Sequence, residues 1–338
     1  MTPSSNGLRR QYRIAGVGLE IEANRPAFLD AVHARLQWSE TSALETSDLR
    51  VRLAAVPEFP ALPFDPAAAR HVLEHPVAQI WYEPSRDQLL TEFGDGGRGV
   101  VDGANLTAEL LVREGAEHDE WLGSHPLFTV AITELLKRQG LFGVHAAGAE
   151  LDGRAILFAA ASGAGKSTLS IAMARRGFGF LGDDRVFLHG AREALRVLPF
   201  PDDIDLRDGT PQLFEELRPI LDTPKKAGWP KWKLRATELY QTTIPRECVP
   251  GLLIIPAISG EARSEFIDID PHEALLELVP NVMLTENRAT RAHLDALTQL
   301  TQQSRCLRLR TGRDFDEVAQ RIRDMVGELE PGGVTGGR

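Results

Sequence analysis

The sequence is short of cysteine, of long apolar runs and of positive charge. Only Cys248 and Cys306 occur in 338 residues. Two distant cysteines build neither a disulfide framework nor, by themselves, a four-ligand zinc site, so a reduced, cytoplasmic protein is expected. No apolar run approaches the roughly 18 residues of a membrane span. The opening segment MTPSSNGLRRQY lacks the apolar core of a signal peptide, and no membrane partner is expected. Lys plus Arg number 38 against 48 Asp plus Glu, a net charge of −10. That balance leaves no broad phosphate-neutralising surface, so nucleic acid is not expected as a partner. What is present is an ordinary globular composition, 43% apolar and 25% charged, in a chain long enough for about two domains and for a core without staples.

Periodicity divides the chain near residues 115–122. Residues 14–24 read as a strand, Pro26–Leu36 as a helix, and the alternating Asp48–Ala54 as a strand. Pro57–Pro66 is a proline-rich connection. Ala78–Glu83, Gln88–Phe93 and Asn105–Val112 are further strands, with Gly94–Gly99 read as a glycine-rich turn. An α+β module around an antiparallel sheet is expected for residues 1–120. Ser124-His125-Pro126 reads as a helix start and Gly140 as its stop. Strands and helices then alternate: Val144–Leu151, Ala155–Ala159, a helix from Lys166 to Arg176, Phe178–Leu181 and Arg185–Leu188. Gly251–Ile258 reads as a buried strand and Asp314–Leu329 as a final amphipathic helix. An α/β domain is expected over 121–330 and a disordered tail over 331–338.

The central feature is Ala155–Ser170, AILFAAASGAGKSTLS. It holds Ala160-x-x-x-x-Gly165-Lys166-Ser167, the phosphate-loop (P-loop, Walker A) pattern with alanine where glycine is commoner. Each residue type suits the chemistry. Gly163 and Gly165 allow a tight turn that points the amides of Ser162, Gly163, Ala164 and Gly165 at phosphate oxygens. Lys166 brings a mobile cation to the β- and γ-phosphates. Ser167 offers a hydroxyl to a bridging magnesium ion, and Thr168 continues the first turn of a helix whose dipole favours anions. ATP and magnesium are therefore the expected ligands.

An apolar strand then ends in Asp183-Asp184, 17 and 18 residues after Lys166. Ligands of open α/β sheets sit at the carboxyl ends of strands, so both acids should face the phosphates. One acid can hold magnesium, directly or through water. The other can take a proton from an attacking hydroxyl. On chemistry alone a kinase, a nucleotide-hydrolysing ATPase or switch, and a binding module without turnover all remain open. His145, in the strand before the loop strand, reads either as a structural residue or as a source of charge near the phosphates.

These residues resemble a family. His145-Ala146, Gly163-x-Gly165-Lys166-Ser167, Arg176-Gly177 and Asp183-Asp184-x-Val186 resemble, in order and spacing, the catalytic domain of the HPr serine kinase/phosphorylase. Thr168 stands where true HPr kinases usually carry glutamate, and their later signature segment with its essential arginine is not identifiable. The likeness is accordingly to the HPr-kinase-like proteins of peptide-modification gene clusters, with a similar opening at Tyr12-Arg13-Ile14-Ala15-Gly16. The resemblance is sharp over 141–189, diffuse to about 327 and suggestive over 10–115. It implies a P-loop fold of the HPr-kinase (PEP-carboxykinase-like) type and transfer of the γ-phosphoryl group of ATP to a serine hydroxyl of a protein or peptide. It implies Asp184 as proton acceptor, Asp183 beside the metal, His145 as a catalytic-site residue beside Lys166, and a homo-oligomer. A small hydroxylated metabolite as acceptor stays open, and the N-terminal module is expected to select the substrate.

Weaker signals remain. Asp202-Asp203-Ile204-Asp205 and Asp208 read as a further metal-side acid or as a solvated turn. Lys225–Arg235, with Trp229 and Trp232 among its lysines, reads as a surface loop, a substrate-steering patch or a stacking platform. Arg246, Arg288 and Arg291 read as surface salt-bridging residues or as the source of a phosphate-contacting arginine.

Overall fold

The structure is a computed structural model that describes residues 8–42, 44–75, 78–116, 119–190, 195–225, 229, 231–285 and 287–329. The tail 331–338 and residues 226–228 of the basic stretch lie outside them. The chain is a mixed α/β protein whose contacts define two compact units. One comprises Met1–Gly140, Lys225–Pro230 and Leu284–Thr290, and the other Leu141–Pro224, Lys231–Met283 and Arg291–Arg338. The helix ending at Arg138 thus packs within the first unit.

The first unit is built on an eight-stranded sheet. Strands β1 (Leu8–Ile14) and β2 (Val17–Ala23) form a hairpin closed by Ala15 and Gly16, both at positive φ. Helix α1 (Pro26–Leu36) starts on proline and buries Phe28, Leu29, Val32 and Leu36. It leads to β3 (Leu49–Val56), which pairs parallel with β2. Then β4 (Arg70–His75), β5 (Ala78–Glu83), β6 (Gln88–Phe93), β7 (Gly97–Asp102) and β8 (Thr107–Arg113) run as an antiparallel meander. Strand β8 returns beside β3 in parallel. The sheet is therefore mixed, not antiparallel as the pattern predicts, because the α1 crossover is long enough to bring β3 back beside β2 in the same direction.

Two further expectations are corrected. Gly97 and Gly99 belong to a strand, not to a turn. A Cβ at Gly97 would lie 2.8 Å from Leu122, so these glycines let an apolar residue pack directly on the strand. Ser124 is no helix start. Helix α2 (Asp119–Leu122) passes through a widened turn, Gly123–Leu127, into α3 (Phe128–Arg138), and Ser124 is buried within the run. The widened turn accommodates Pro126, which an ordinary helical turn would not. Gly140, at φ 76°, follows α3 as expected.

The second unit holds β9 (Phe142–Val144), β10 (Ala147–Leu151), β11 (Arg154–Phe158), α4 (Lys166–Arg175), β12 (Gly179–Gly182), β13 (Val186–His189), β14 (Arg196–Pro199) and β15 (Ile204–Leu206). After these come β16 (Trp232–Leu234), α5 (Ala236–Leu239), β17 (Val249–Ile258), β18 (Glu265–Asp268), α6 (Pro271–Leu278), α7 (Asn287–Gln303) from Arg291 onward, β19 (Arg305–Thr311) and α8 (Phe315–Gly327). The main sheet runs β12-β10-β11-β17-β19-β18, with β11, β17 and β19 parallel. Strand β11 is apolar after its first residue because it is buried on both faces. Leu169, Ala172 and Met173 of α4 share one core with Val318, Ile322 and Val326 of α8. The single strand expected over Val144–Leu151 is two: β9 joins β13 and β14, β10 joins the main sheet, and His145 lies at the break. Among the described residues no helix is long and apolar enough to cross a membrane, and Cys248 and Cys306 are buried and unbridged.

Candidate active site

The buried strand β11 delivers a turn and then α4. Gly163 and Gly165 take φ of 92° and 97°, a region that strains any other residue, whereas Ala160 is not among the positive-φ residues. The departure from glycine at Ala160 thus costs the loop nothing in backbone strain. The first N–H groups of α4 have no partner within the helix and face the loop with the positive end of the helix dipole.

Lys166 is 8% exposed. Its Nζ donates to the carbonyl of Ala160 at 2.6 Å and that of Ala161 at 3.3 Å, so the ammonium folds back over the turn. Burial lowers its pKa, while the nearby charges of Asp184 and Asp183 oppose the shift.

The two adjacent aspartates differ sharply. Asp183 is 6% exposed. Its Oδ2 accepts from Ser167 Oγ at 2.7 Å and its Oδ1 from Ser170 Oγ, one turn further along α4, also at 2.7 Å. Burial raises its pKa to about 6 despite these hydrogen bonds, and the negative neighbours Asp184 and Asp205 push the same way. The Asp184 side chain is 42% exposed. His145 Nδ1 lies 2.9 Å from its backbone carbonyl and 3.1 Å from its Oδ1. Arg185 approaches Oδ2 at 3.7 Å. The backbone N–H of His145 donates to Asn281 O at 2.8 Å, which fixes the break between β9 and β10 where the imidazole projects. Gly182 sets the course of the pair: a Cβ there would meet Arg185 O at 2.5 Å and Phe200 O at 2.7 Å.

The structure adds residues that the motif does not mark. Arg207 Nη2 donates to Ser162 Oγ at 2.9 Å, and its Nη1 lies 3.5 Å from where a Gly163 Cβ would be. It follows β15, a short strand whose Ile204 and Leu206 are buried. The segment with Asp205 is therefore a strand and not a solvated turn. Asp205 sits opposite Lys233 across the β15–β16 pair and contacts Lys233 Nζ at 2.7 Å and Lys231 Nζ at 3.1 Å. Arg235 pairs with Asp203 at 3.2 Å. Much of the basic stretch thus neutralises its partner strand. Trp229 is buried in the first unit, edge-on to Trp121 and His125. Arg246 and Arg291 are solvent-exposed, and the Arg288 side chain lies outside the described residues. Thr168 occupies the first turn of α4.

Together these residues make a turn at a helix N-terminus with two cations, one buried carboxylate tied to that helix and one open carboxylate beside an imidazole. Such a set can hold a polyphosphate and present a base to an incoming hydroxyl.

No protein-family model matches the chain, and no curated protein sequence does. Among solved structures it is similar to the Hpr(Ser) kinase/phosphatase from Coxiella burnetii, at 13% identity over 55% of this chain and 93% of that chain, with a TM-score of 0.26.

Proposed function

We propose that the chain is an ATP-dependent phosphotransferase that moves the γ-phosphoryl group to a serine hydroxyl of a protein or peptide, through the P-loop fold expected for residues 121–330. The observation that carries this reading is the unequal burial of the aspartate pair: Asp183 is locked to Ser167 and Ser170, while Asp184 is open at the strand end. An open, oriented carboxylate suits a base that must reach an external hydroxyl.

Asp183 fits a divalent cation. It is a carboxylate whose pKa is raised chiefly by burial, with Asp184 and Asp205 adding to the shift, and it lies 2.7 Å from a second hard oxygen donor, Ser167 Oγ. Among the described residues no three acidic, His or Cys side chains cluster into an all-protein cage. That suits magnesium, which commonly takes one or two protein ligands and completes its shell with phosphates and water. Held by Ser167 and Asp183, magnesium would supply charge neutralisation on the β- and γ-phosphoryl oxygens.

In the proposed reaction the Gly163–Gly165 turn and the α4 N-terminus seat the β-phosphate. Lys166 swings from the loop carbonyls to the β- and γ-oxygens, and Arg207 guards the open side. Asp184 accepts the serine proton as the serine oxygen bonds to the γ-phosphorus, and the bond to the β–γ bridging oxygen breaks, releasing ADP. His145 orients Asp184 through Nδ1.

The test follows γ-labelled ATP with magnesium in cleared host extract, using wild type, Asp184→Asn and Lys166→Ala. Label on a discrete protein or peptide, lost in both variants, supports the reading. Label in a small metabolite would move the acceptor class. Label found only as free phosphate, with Asp184→Asn still active, would replace the kinase by an ATPase.

A further inference from the structure

Beside the phosphate loop lies a mainly apolar cavity of about 230 Å³. Gly165 and Thr168 form one wall, so the cavity is continuous with the N-terminal turn of α4. Leu213, Ile258, Thr311 and Phe315 supply half of the remaining lining residues, and Glu261 and Arg313 also reach it. We propose that this cavity takes the purine base of the nucleoside triphosphate whose phosphates sit on the loop, and that it recognises the base by shape, apolar contact and the Thr311 hydroxyl.

The proposal rests on the nucleotide reading above and adds to it a base site and a specificity. Four observations carry it. The first is place: Gly165 and Thr168, at the α4 N-terminus where the phosphates would lie, also line this cavity. The second is size: the volume is below the roughly 300–1,000 Å³ of a whole drug-sized ligand site, suited to a bicyclic ring with its sugar outside.

The third is otherwise unexplained side chains. Ile258 is 66% exposed and Leu213 is 45% exposed, yet both line this one cavity. Thr311 is 6% exposed, and its Oγ1 is buried with no hydrogen-bond partner. An orphaned buried hydroxyl is costly unless a ligand satisfies it. Phe315, tilted against Phe214 with centroids 5.5 Å apart, offers an aromatic wall.

The fourth observation is that the walls are preformed. Ser259 donates to Thr311 O from both N and Oγ at 3.0 Å, Gly312 N to Ser264 Oγ at 2.8 Å, and Arg313 N to Ala262 O at 3.2 Å. The amide donors of Gly312 and Arg313 are thereby consumed within the loops. They are not left to read the edge of one particular base, so adenine and guanine should be accepted alike.

The test is calorimetric titration of the full chain with magnesium and ATP, GTP or inorganic tripolyphosphate, for wild type, Leu213→Ala, Ile258→Ala and Thr311→Val. The first two truncations remove exposed side chains and leave the fold intact. Wild type should bind ATP and GTP within about threefold of each other and at least about tenfold tighter than tripolyphosphate. Each variant should weaken ATP about three- to tenfold and leave tripolyphosphate unchanged. Thr311→Val should in addition raise the Tm of the unliganded protein. ATP affinity unchanged in all three variants, or ATP no tighter than tripolyphosphate in wild type, overturns the base site while the phosphate loop stands. Failure of wild type to bind ATP and tripolyphosphate alike overturns the nucleotide reading itself.

Discussion

In the eight-stranded sheet of the first unit, charge lies along one face and is paired across strands, whereas in the main sheet of the second unit the central strands carry almost none. Arg9 reaches Glu22 at 3.0 Å and Arg52 pairs with Glu109, both with substantial exposure, and the more buried Arg98 reaches Glu92 at 2.6 Å. Strands β11 and β17 are instead buried along most of their length. Their reactive groups are displaced to the strand ends. The difference teaches where chemistry can be held. A ladder of solvated ion pairs fixes register but leaves each charge screened by water. A strand buried on both faces makes a rigid post, and the turn that leaves it can hold charged groups partly out of water.

The largest expected effect removes the open carboxylate at such a strand end. Asp184→Asn should lower phosphotransfer by about 10²–10⁴ with little change in Tm, read by the labelled-ATP assay and a thermal melt. A drop in Tm of the same variant would make Asp184 structural and erase the contrast with its neighbour.

Next comes the buried charge of the first unit, where the same rule should hold without catalysis. Glu134 and Lys137 are fully buried and 2.6 Å apart, Arg138 joins at 3.1 Å, and Lys137 also bonds Thr285. Glu134→Ala removes the carboxylate that Lys137 and Arg138 share, leaves Arg138 its pair with Asp87, and should cost about 3–5 kcal/mol in denaturant unfolding. A loss below about 1 kcal/mol would put this cluster with the exposed ladder.

Asp183→Asn should separate stability from activity. Burial lifts this carboxyl from 3.8 to about 6, so the folded protein binds its proton more tightly than the unfolded chain does. Stability from this group is therefore greatest at low pH and falls as pH rises through about 4 to 6. Asparagine lacks that penalty. The variant should be more stable than wild type by about 1–3 kcal/mol at neutral pH, with the gain vanishing near pH 4 and activity lost throughout. Equal stability at pH 7 would show that the serine hydroxyls already satisfy the carboxylate.

The smallest effect belongs to the ladder itself. Arg52→Ala should cost under about 1 kcal/mol and less in high salt. A larger, salt-insensitive loss would mean that this face is covered in the working protein.

Much of this was legible in the sequence wherever periodicity is local. The helices Pro26–Leu36 and Lys166–Arg175, the buried β17 and the glycines at 163 and 165 follow from spacing and from backbone sterics. The loop residues and the aspartate pair were marked because their chemistry needs those types at that separation. Less legible were features set by distant residues. The parallel β3–β8 pair joins segments some 50 residues apart, and β7 looks like a turn until Leu122 packs on Gly97. Pairing partners and glycines reserved for another element's side chain leave no periodic trace in one strand.

The sequence by itself determined that a glycine-rich turn would join a buried strand to a helix and that two carboxylates would end the next strand, because those are properties of neighbours along the chain. Only the tertiary structure decided that Ser170 and Ser167 would claim Asp183 and leave Asp184 to His145. It alone brought Arg207 onto Ser162 and Ile258 beside Gly165. Burial and charge are fields of the whole fold, and two adjacent residues of the same kind receive opposite environments once β12 delivers one inward and the other to water.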